Sequence, residues 1–409
     1  MKFKNRYIHF FTIALTLLFA TSCYEVNVKE SSSGRILQDE KYYVGTSLSY
    51  ASYLERNSDS IFKENGVAKS PFQSVKDHGG NIVHLSLAFG PYVMTDADKA
   101  YAIKNSRVPP IYSIDYHSYE RVLDDFHKAK DAGLEVFLSI LYEKGLSGDR
   151  LNIPAGAQME KFIGEYAKTT LEKFGSEGLY PIFVAIGSDY DNATNKGLFM
   201  GAPIGKDSAN IMVGYMNAGF KAVKDFAAAN NKKIKTVLHI TSAGDVKDFL
   251  YRYYTADYQL DFDVLGISYN FSKGTGGFAS LPELPMYMRI VYNKETFVVG
   301  ASFSYSSSNA DFVVNNYTRI DNKTYGTVQS PAIQKQMFID FSKAFFNAGG
   351  LGVIAEGGDF TGSKVWFFGN PWNQGSDWDN NAFWDKKYEL HEGIDWMMFD
   401  YQPFVKRNY

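Results

Sequence analysis

The sequence is short of cysteine, since Cys23 is the single cysteine in 409 residues. Disulfide frameworks, thiolate metal sites and cysteine nucleophiles are therefore excluded for the rest of the chain. Positive charge is not in excess either, because 42 Lys and Arg face 45 Asp and Glu, and this balance argues against nucleic acid as a partner. What remains, with 45% apolar and 16% aromatic residues, is typical of a globular protein.

Long apolar runs are also scarce, and the clearest one lies near the amino terminus, at residues 10–20. Lys2, Lys4 and Arg6 precede it, and small residues follow it. A basic start, a short apolar run and small residues are typical of a cleaved signal peptide, whereas a membrane-spanning helix needs about 20 apolar residues. The pattern predicts that residues 1–22 are a signal peptide.

Cys23 directly follows Ala20, Thr21 and Ser22, which resembles the cleavage site of bacterial lipoproteins, with Ala20 where leucine is usual. The resemblance implies that Cys23 is lipidated, and several acyl chains anchor a protein stably where one does not. We therefore expect residues 23–41 to carry the lipid and form a polar tether. We also expect an exported lipoprotein in the outer membrane of a Gram-negative bacterium, with the face of that membrane left open.

From residue 43 onward, short runs rich in β-branched and aromatic residues alternate with amphipathic helical patterns. This alternation predicts a parallel sheet built from β-α units. Eight such units in about 360 residues predict one closed (β/α)₈ TIM barrel over residues 42–409. The eight runs are Tyr43–Ser47, Ile82–Leu87, Glu135–Leu141, Ile182–Gly187, Thr236–Thr241, Val264–Tyr269, Thr296–Ala301 and Gly352–Glu356.

Active sites of such barrels form at the carboxyl ends of the strands and in the loops that follow them. The candidate ligand contacts at these places are His84, Phe89, Tyr142, Asp191, Asn192, His239, Tyr269, Asn270 and Tyr305. All five tryptophans fall between residues 366 and 396, where they suit either stacking on sugar rings or core packing.

Metal chemistry finds little support in the sequence. The histidines are scattered and lack the paired spacing of a zinc site. Asp377, Asp379, Asn380 and Asn381 offer oxygen atoms that suit calcium, but such a cluster also suits a solvated turn. No cofactor is predicted.

Nine segments occur in the same order as in a known enzyme family. They are VGTSLSYASYLE (44–55), VKDHGGNIVHLSLAFGPY (75–92), VLDDFHKAKDAGLEVFLSILY (122–142), IFVAIGSDYDN (182–192), KTVLHITSAGD (235–245), DFDVLGISYNF (261–271), TFVVGASF (296–303), GGLGVIAEGG (349–358) and WDNNAFWD (378–385). In these segments the chain resembles glycoside hydrolase family 53, the endo-β-1,4-galactanases. The resemblance implies a barrel fold and a β-1,4-galactan ligand.

Members of that family are retaining enzymes with an acid/base glutamate after strand 4 and a nucleophilic glutamate after strand 7, and retention needs two carboxyl groups about 5–5.5 Å apart. The matching positions here are Asp189, whose side chain is one methylene shorter, and Gly300, which has no side chain. Polar residues of the family are also replaced at Ser47, at residues 84–90 and at residues 139–141. The resemblance therefore implies a barrel whose hydrolytic activity is impaired or lost.

A relocated carboxylate remains as an alternative. Glu356 lies one residue before the acid that the family carries on strand 8, and a β-bulge would turn it into the site, where it would pair with Asp189. Neighbouring positions of a strand face opposite sides, which argues against this pairing.

Three functional hypotheses result. The first is a lipoprotein that binds a carbohydrate such as β-1,4-galactan without cleaving it, in glycan capture or utilisation and beside other glycan-uptake proteins. The second is an active galactanase-like hydrolase that uses Asp189 and Glu356. The third is a protein-interaction barrel whose cleft is closed by bulky residues such as Phe89 and Leu141.

Overall fold

The structure is a computed structural model of the full chain. It describes residues 42–57, 60–88, 117–142, 157–187, 206–240, 244, 246–254, 259–270, 283–311, 313–315, 325–363 and 375–401. All of these belong to one compact unit, Lys41–Val405. The predicted signal peptide, Cys23 and the tether lie outside the described residues and stay predictions.

Eight parallel strands close into a barrel in which each strand pairs with the next one along the chain and the last pairs with the first. This confirms the predicted fold class. We number them β1 (Tyr43–Ser47), β2 (Ile82–Ala88), β3 (Glu135–Leu141), β4 (Phe183–Ile186), β5 (Lys235–Ile240), β6 (Val264–Asn270), β7 (Glu295–Ser302) and β8 (Gly352–Ala355). A small antiparallel hairpin, Lys63–Glu64 with Val67–Ala68, lies between β1 and β2 in the sequence.

The helices lie in the connections between strands. They are α1 (Ala51–Asn57), α2 (Pro71–Asp77), α3 (Tyr119–Asp131), α4 (Ala157–Ser176), α5 (Lys206–Ala229), α6 (Val246–Tyr253), α7 (Glu283–Tyr287) and α8 (Pro331–Asn347). A π-helical turn, Met288–Tyr292, follows α7, and short 3₁₀ helices cover Asp379–Asn381 and Glu392–Met398. Among these described helices, none is long and apolar enough to cross a membrane.

Local sequence signals set the ends of the helices. The Ser118 hydroxyl accepts the Arg121 N–H at the start of α3, and the Ser330 hydroxyl accepts the Ile333 N–H at the start of α8. Both serines satisfy amide groups that the first helical turn leaves without a partner. Pro331 is favourable as the first residue of α8, because its missing N–H would have had no partner there.

Two apolar clusters divide the core. The outer cluster joins the strands to the helices around them. The inner cluster comes from strand residues and their immediate neighbours, and its centre is formed by Phe137, Phe183 and Phe297, whose ring centroids lie 5.1–5.7 Å apart. Side chains therefore fill the barrel axis below the carboxyl ends of the strands, which is the arrangement of a packed TIM barrel.

Strand β7 carries one extra residue near its carboxyl end. Val298 pairs with both neighbouring strands, but the next pairs are Gly300 with Ser268 on β6 and Ala301 with Ala355 on β8. Val299 is thus a bulged residue, and a bulge re-aims the side chains that follow it. The bulge lies directly before the position at which the family resemblance places a nucleophile.

Candidate active site

The carboxylate of Glu356 lies over Gly300. A Cβ atom added to Gly300 with ideal geometry would lie 2.8 Å from Oε2 and 3.2 Å from Cδ of Glu356. In a glutamate side chain, Cβ and Oε are separated by about 3–4 Å, given ordinary bond lengths and staggered torsions. Glu356 therefore occupies the space that a side chain at position 300 would enter.

Strand alternation explains why Glu356 faces this space. Ile354 belongs to the inner cluster and Ala355 to the outer one, so Glu356 returns to the inner side. The Glu356 N–H donates to the Ala301 carbonyl oxygen at 2.9 Å, which extends the pairing of β7 and β8 past the end of β8. The predicted pairing of Glu356 with Asp189 stays a prediction, because Asp189 lies outside the described residues.

Two histidine–serine pairs each join neighbouring strands toward the carboxyl end of the barrel. His84 Nε2 on β2 is 2.8 Å from Ser139 Oγ on β3, and His239 Nε2 on β5 is 2.9 Å from Ser268 Oγ on β6. The His84 ring also contacts the ring of Phe137, with centroids 5.2 Å apart. The pairs therefore lie directly above the apolar filling of the barrel.

His84 lies near two other imidazoles, those of His239 and His117. Burial, together with the nearby charges of His239 and His117, lowers the pKa of His84 to about 3. Burial likewise lowers the pKa of His117 to about 3. Both rings are neutral near pH 7, so they act as one donor and one acceptor each. His117 was not among the sequence candidates, because it precedes α3 and lies far from any predicted strand end.

Within the described residues, no group of three or more histidine, cysteine or acidic side chains could hold a metal ion. Asp379 and Asn381, two of the four predicted calcium ligands, are engaged by the protein itself. Asp379 accepts N–H groups from Ala310 and Asn315 at 2.8 and 2.7 Å, and burial raises its pKa to about 6. The Asn381 Oδ1 accepts the Ser304 hydroxyl at 3.2 Å. The cluster joins the loops after β7 and β8.

Two predicted ligand contacts do not reach the mouth of the barrel. Tyr142 is 1% exposed and donates its hydroxyl to the Ile163 carbonyl oxygen of α4. Tyr269 is equally buried and packs against Phe341 of α8, with centroids 4.7 Å apart. Both belong to the outer cluster, since alternation points them away from the axis. Assigning them to the site was therefore wrong.

Of the remaining sequence candidates, two lie among the described residues and four do not. Tyr305 follows β7, donates its N–H to the Asn380 carbonyl oxygen and lies 4.4 Å from the His391 ring, and burial raises the pKa of its hydroxyl. Asn270 ends β6, and only its backbone is described. Phe89, Asp189, Asp191 and Asn192 lie outside the described residues.

The tryptophans serve different purposes. Trp384 and Trp396 are fully buried, so core packing accounts for them. Trp378 is half-buried and meets the edge of Phe360, with centroids 6.4 Å apart, in the loop region that follows Glu356. Trp366 and Trp372 lie outside the described residues.

Asp359 fixes the loop that carries Glu356. It is fully buried, and its Oδ2 accepts the backbone N–H groups of Tyr50 and Ala51 at 2.8 Å each, at the start of α1. Burial raises its pKa to about 7. The Ser47 hydroxyl accepts the Gly357 N–H at 3.0 Å, so the first and last strands hold the turn together.

A separate groove of about 510 Å³ lies outside the barrel, between α4 and α5. Its walls carry helical ion pairs such as Lys161 with Glu165 and Lys221 with Asp225. Exposed pairs of this kind belong to a solvated helix surface. The groove is lined by the two helices alone and takes no part in the site.

A closed eight-stranded barrel with a polar layer toward the carboxyl ends of its strands is typical of (β/α)₈ barrels, whose active sites lie at that end. The sequence profile of Glycosyl hydrolase family 53 matches residues 43–397. The chain belongs to that family.

Individual relatives are distant. An arabinogalactan endo-β-1,4-galactanase of Cellvibrio japonicus is 22% identical over 335 residues, which covers 78% of this chain and 81% of the relative. The family 53 catalytic domain of Ignisphaera aggregans superposes with a TM-score of 0.69 at 20% identity, over 87% of this chain and 95% of that one. A fungal β-1,4-galactanase gives 0.66 at 18% identity, over 87% and 98%. At these identities the two structures show the fold alone.

Proposed function

We propose that this protein binds a β-galactan-type carbohydrate at the mouth of its barrel, in the capture or use of glycans. Membership of the galactanase family supports the ligand class. The observation that carries the proposal is the paired layer His84–Ser139 and His239–Ser268. Sugars present hydroxyl groups, which these pairs can match, and apolar ring faces, which aromatic side chains can cover.

The same region argues against hydrolysis by the family's own scheme. Gly300 has no side chain to form a covalent bond with a sugar. We therefore propose that glycan binding does not depend on the family's strand 7 nucleophile. The predicted lipid on Cys23 would keep this binding protein at a membrane surface, near other glycan-uptake proteins.

Calorimetric titration of residues 24–409 with β-1,4-galactotetraose tests the proposal. We expect saturable binding at both pH 5.5 and pH 8, because burial keeps His84 neutral across this range. His239→Ala should weaken binding about tenfold through loss of a buried hydrogen bond. The control variant His127→Ala changes a partly exposed histidine on α3, away from the strand ends, and should bind like the wild type.

Absence of binding to galacto-oligosaccharides would contradict the proposal. Absence of binding to gluco- and manno-oligosaccharides as well would favour the third hypothesis, a barrel with a closed mouth. Leu141, which ends β3 and is 9% exposed, is a described residue that would contribute to such closure.

A further inference from the structure

We infer that Glu356 has taken over the role of the nucleophile that position 300 lacks, so that the barrel cleaves as well as binds its sugar. The inference rests on the proposed function, because it requires a glycan in the mouth. It differs from the family scheme in the strand that supplies the carboxylate, which is β8 in place of β7.

Geometry is the first support. The Glu356 carboxylate lies 2.8 Å from where a Cβ of residue 300 would begin, within the reach of a glutamate side chain built at that position. A carboxylate at this place faces the same volume from a neighbouring strand. Because Gly300 has no side chain, the space above it is available to the Glu356 carboxylate.

Rigidity is the second support, because a nucleophile must be held in place by the groups around it. The Glu356 N–H is bonded to Ala301, and the Thr46 hydroxyl donates to the Ala355 carbonyl oxygen at 2.9 Å. On the other side, Gly357 is bonded to Ser47. The backbone is thus fixed before and after Glu356, while its side chain remains partly exposed.

Three described acids in the loops after β7 and β8 accept N–H groups of these loops or of α1. Asp359 accepts two N–H groups at the start of α1, and Asp379 accepts two from the loop after β7. Asp311 accepts N–H groups from Val313, Ser363 and Ser376. Among these acids Glu356 is the one directed toward the space above Gly300.

The chemistry is that of a retaining displacement. The Glu356 oxygen forms a bond to the anomeric carbon as the bond from that carbon to the leaving oxygen breaks, and an acid gives the leaving oxygen its proton. Water then adds to the anomeric carbon, gives its proton to the conjugate base of that acid, and releases Glu356 as a carboxylate. From the sequence, Asp189 is the expected acid, and it lies outside the described residues.

A substrate with a good leaving group tests the nucleophile without the acid. The mature protein is mixed with 2,4-dinitrophenyl 2-deoxy-2-fluoro-β-galactobioside, and dinitrophenolate release and protein mass are followed. We expect a burst of about one dinitrophenolate per protein and one added glycosyl group on the peptide that contains Glu356. Glu356→Gln should abolish both, whereas Glu392→Gln, at an exposed position, should keep both.

Gly300→Ala tests the position of the Glu356 carboxylate more directly than Glu356→Gln does. Its added methyl would meet the Glu356 carboxylate, which is the end of a flexible side chain, so the fold should survive while the carboxylate moves. A displacement of about 1 Å should slow labelling about 100-fold. Unfolding temperature and oligosaccharide affinity serve as checks on the fold and on binding.

Binding of galactotetraose without a burst would overturn the inference and leave the proposed function intact. Labelling of any residue other than Glu356 would overturn it as well. Absence of both binding and burst would overturn the inference together with the proposed function.

Discussion

A single missing side chain changes the chemistry at the mouth of this barrel. With glycine at position 300, the end of β7 offers open volume, and the Glu356 carboxylate fills it from β8. The bulged residue Val299 aligns the two positions. Substitutions at Gly300 and at Glu356 should therefore be coupled, with a combined effect that differs from the sum of the single effects.

Asp359 should make the stability of the folded protein depend on pH. Its folded pKa of about 7 lies above the ordinary carboxyl value, so the folded protein holds a proton that the unfolded chain releases. Its contribution to stability is complete below about pH 4 and is lost as the pH rises through 7. Relative to Asp359→Asn, the wild type should lose about 2–3 kcal/mol of unfolding free energy between pH 5 and pH 8.

Urea unfolding of both proteins at several pH values measures this difference. The amide side chain in the Asp359→Asn variant retains an oxygen for the N–H groups of Tyr50 and Ala51, so the variant should fold. A constant difference between the two proteins over this range would show that Asp359 is ionised in the folded state.

At the scale of elements, the strands were predictable and the bulge was not. Buried runs such as Glu135–Leu141 consist of β-branched and apolar residues between helical patterns, and their observed bounds agree with the predicted ones. Val299 looks like any other residue of its run, because a bulge depends on the register of two neighbouring strands. Alternation along the strands explains the errors at Tyr142 and Tyr269, whose side chains face outward.

The partners of the histidines could not be predicted from the sequence either. His84 and His239 were predicted as ligand contacts from their places on the strands, but their serine partners come from neighbouring strands. His117 comes from a connection whose path the sequence pattern does not predict. Only barrel closure brings these three residues together.

Two tryptophans differ in their surroundings: Trp396 lies in the core, and Trp378 lies in the loop region after Glu356. Trp396 stacks on Phe338 of α8 with an interplanar angle of 19°, and it is fully buried. Trp396→Ala should cost about 3–5 kcal/mol of unfolding free energy. Trp378→Ala should cost about 1–2 kcal/mol, since its ring is half-buried, and should weaken oligosaccharide binding about tenfold.

Denaturant unfolding and calorimetry on both variants check these values. If Trp378→Ala binds oligosaccharide like the wild type, Trp378 is not a stacking face for the sugar.

At the scale of the whole molecule, the chain joins a barrel to a predicted lipid anchor. Strand β1 begins at Tyr43, shortly after the predicted tether ends. A lipid on Cys23, if it is present as predicted, would keep the barrel at a membrane surface.

Cys23→Ser tests the anchor. Expressed with its amino-terminal segment in a Gram-negative host, the wild type should fractionate with membranes and incorporate labelled palmitate. The variant should do neither, and Ser32→Ala in the tether should behave like the wild type. Palmitate incorporation into the Cys23→Ser variant would contradict the lipoprotein prediction.

A crystal structure of Glu356→Gln with β-1,4-galactotetraose would test binding at the mouth and the role of Glu356 together. We expect a sugar ring at the mouth, with its anomeric carbon next to position 356 above Gly300 and its hydroxyl groups bonded to the His84–Ser139 and His239–Ser268 pairs. A sugar bound only elsewhere, such as in the groove between α4 and α5, or a mouth filled by the protein's own side chains, would contradict this expectation.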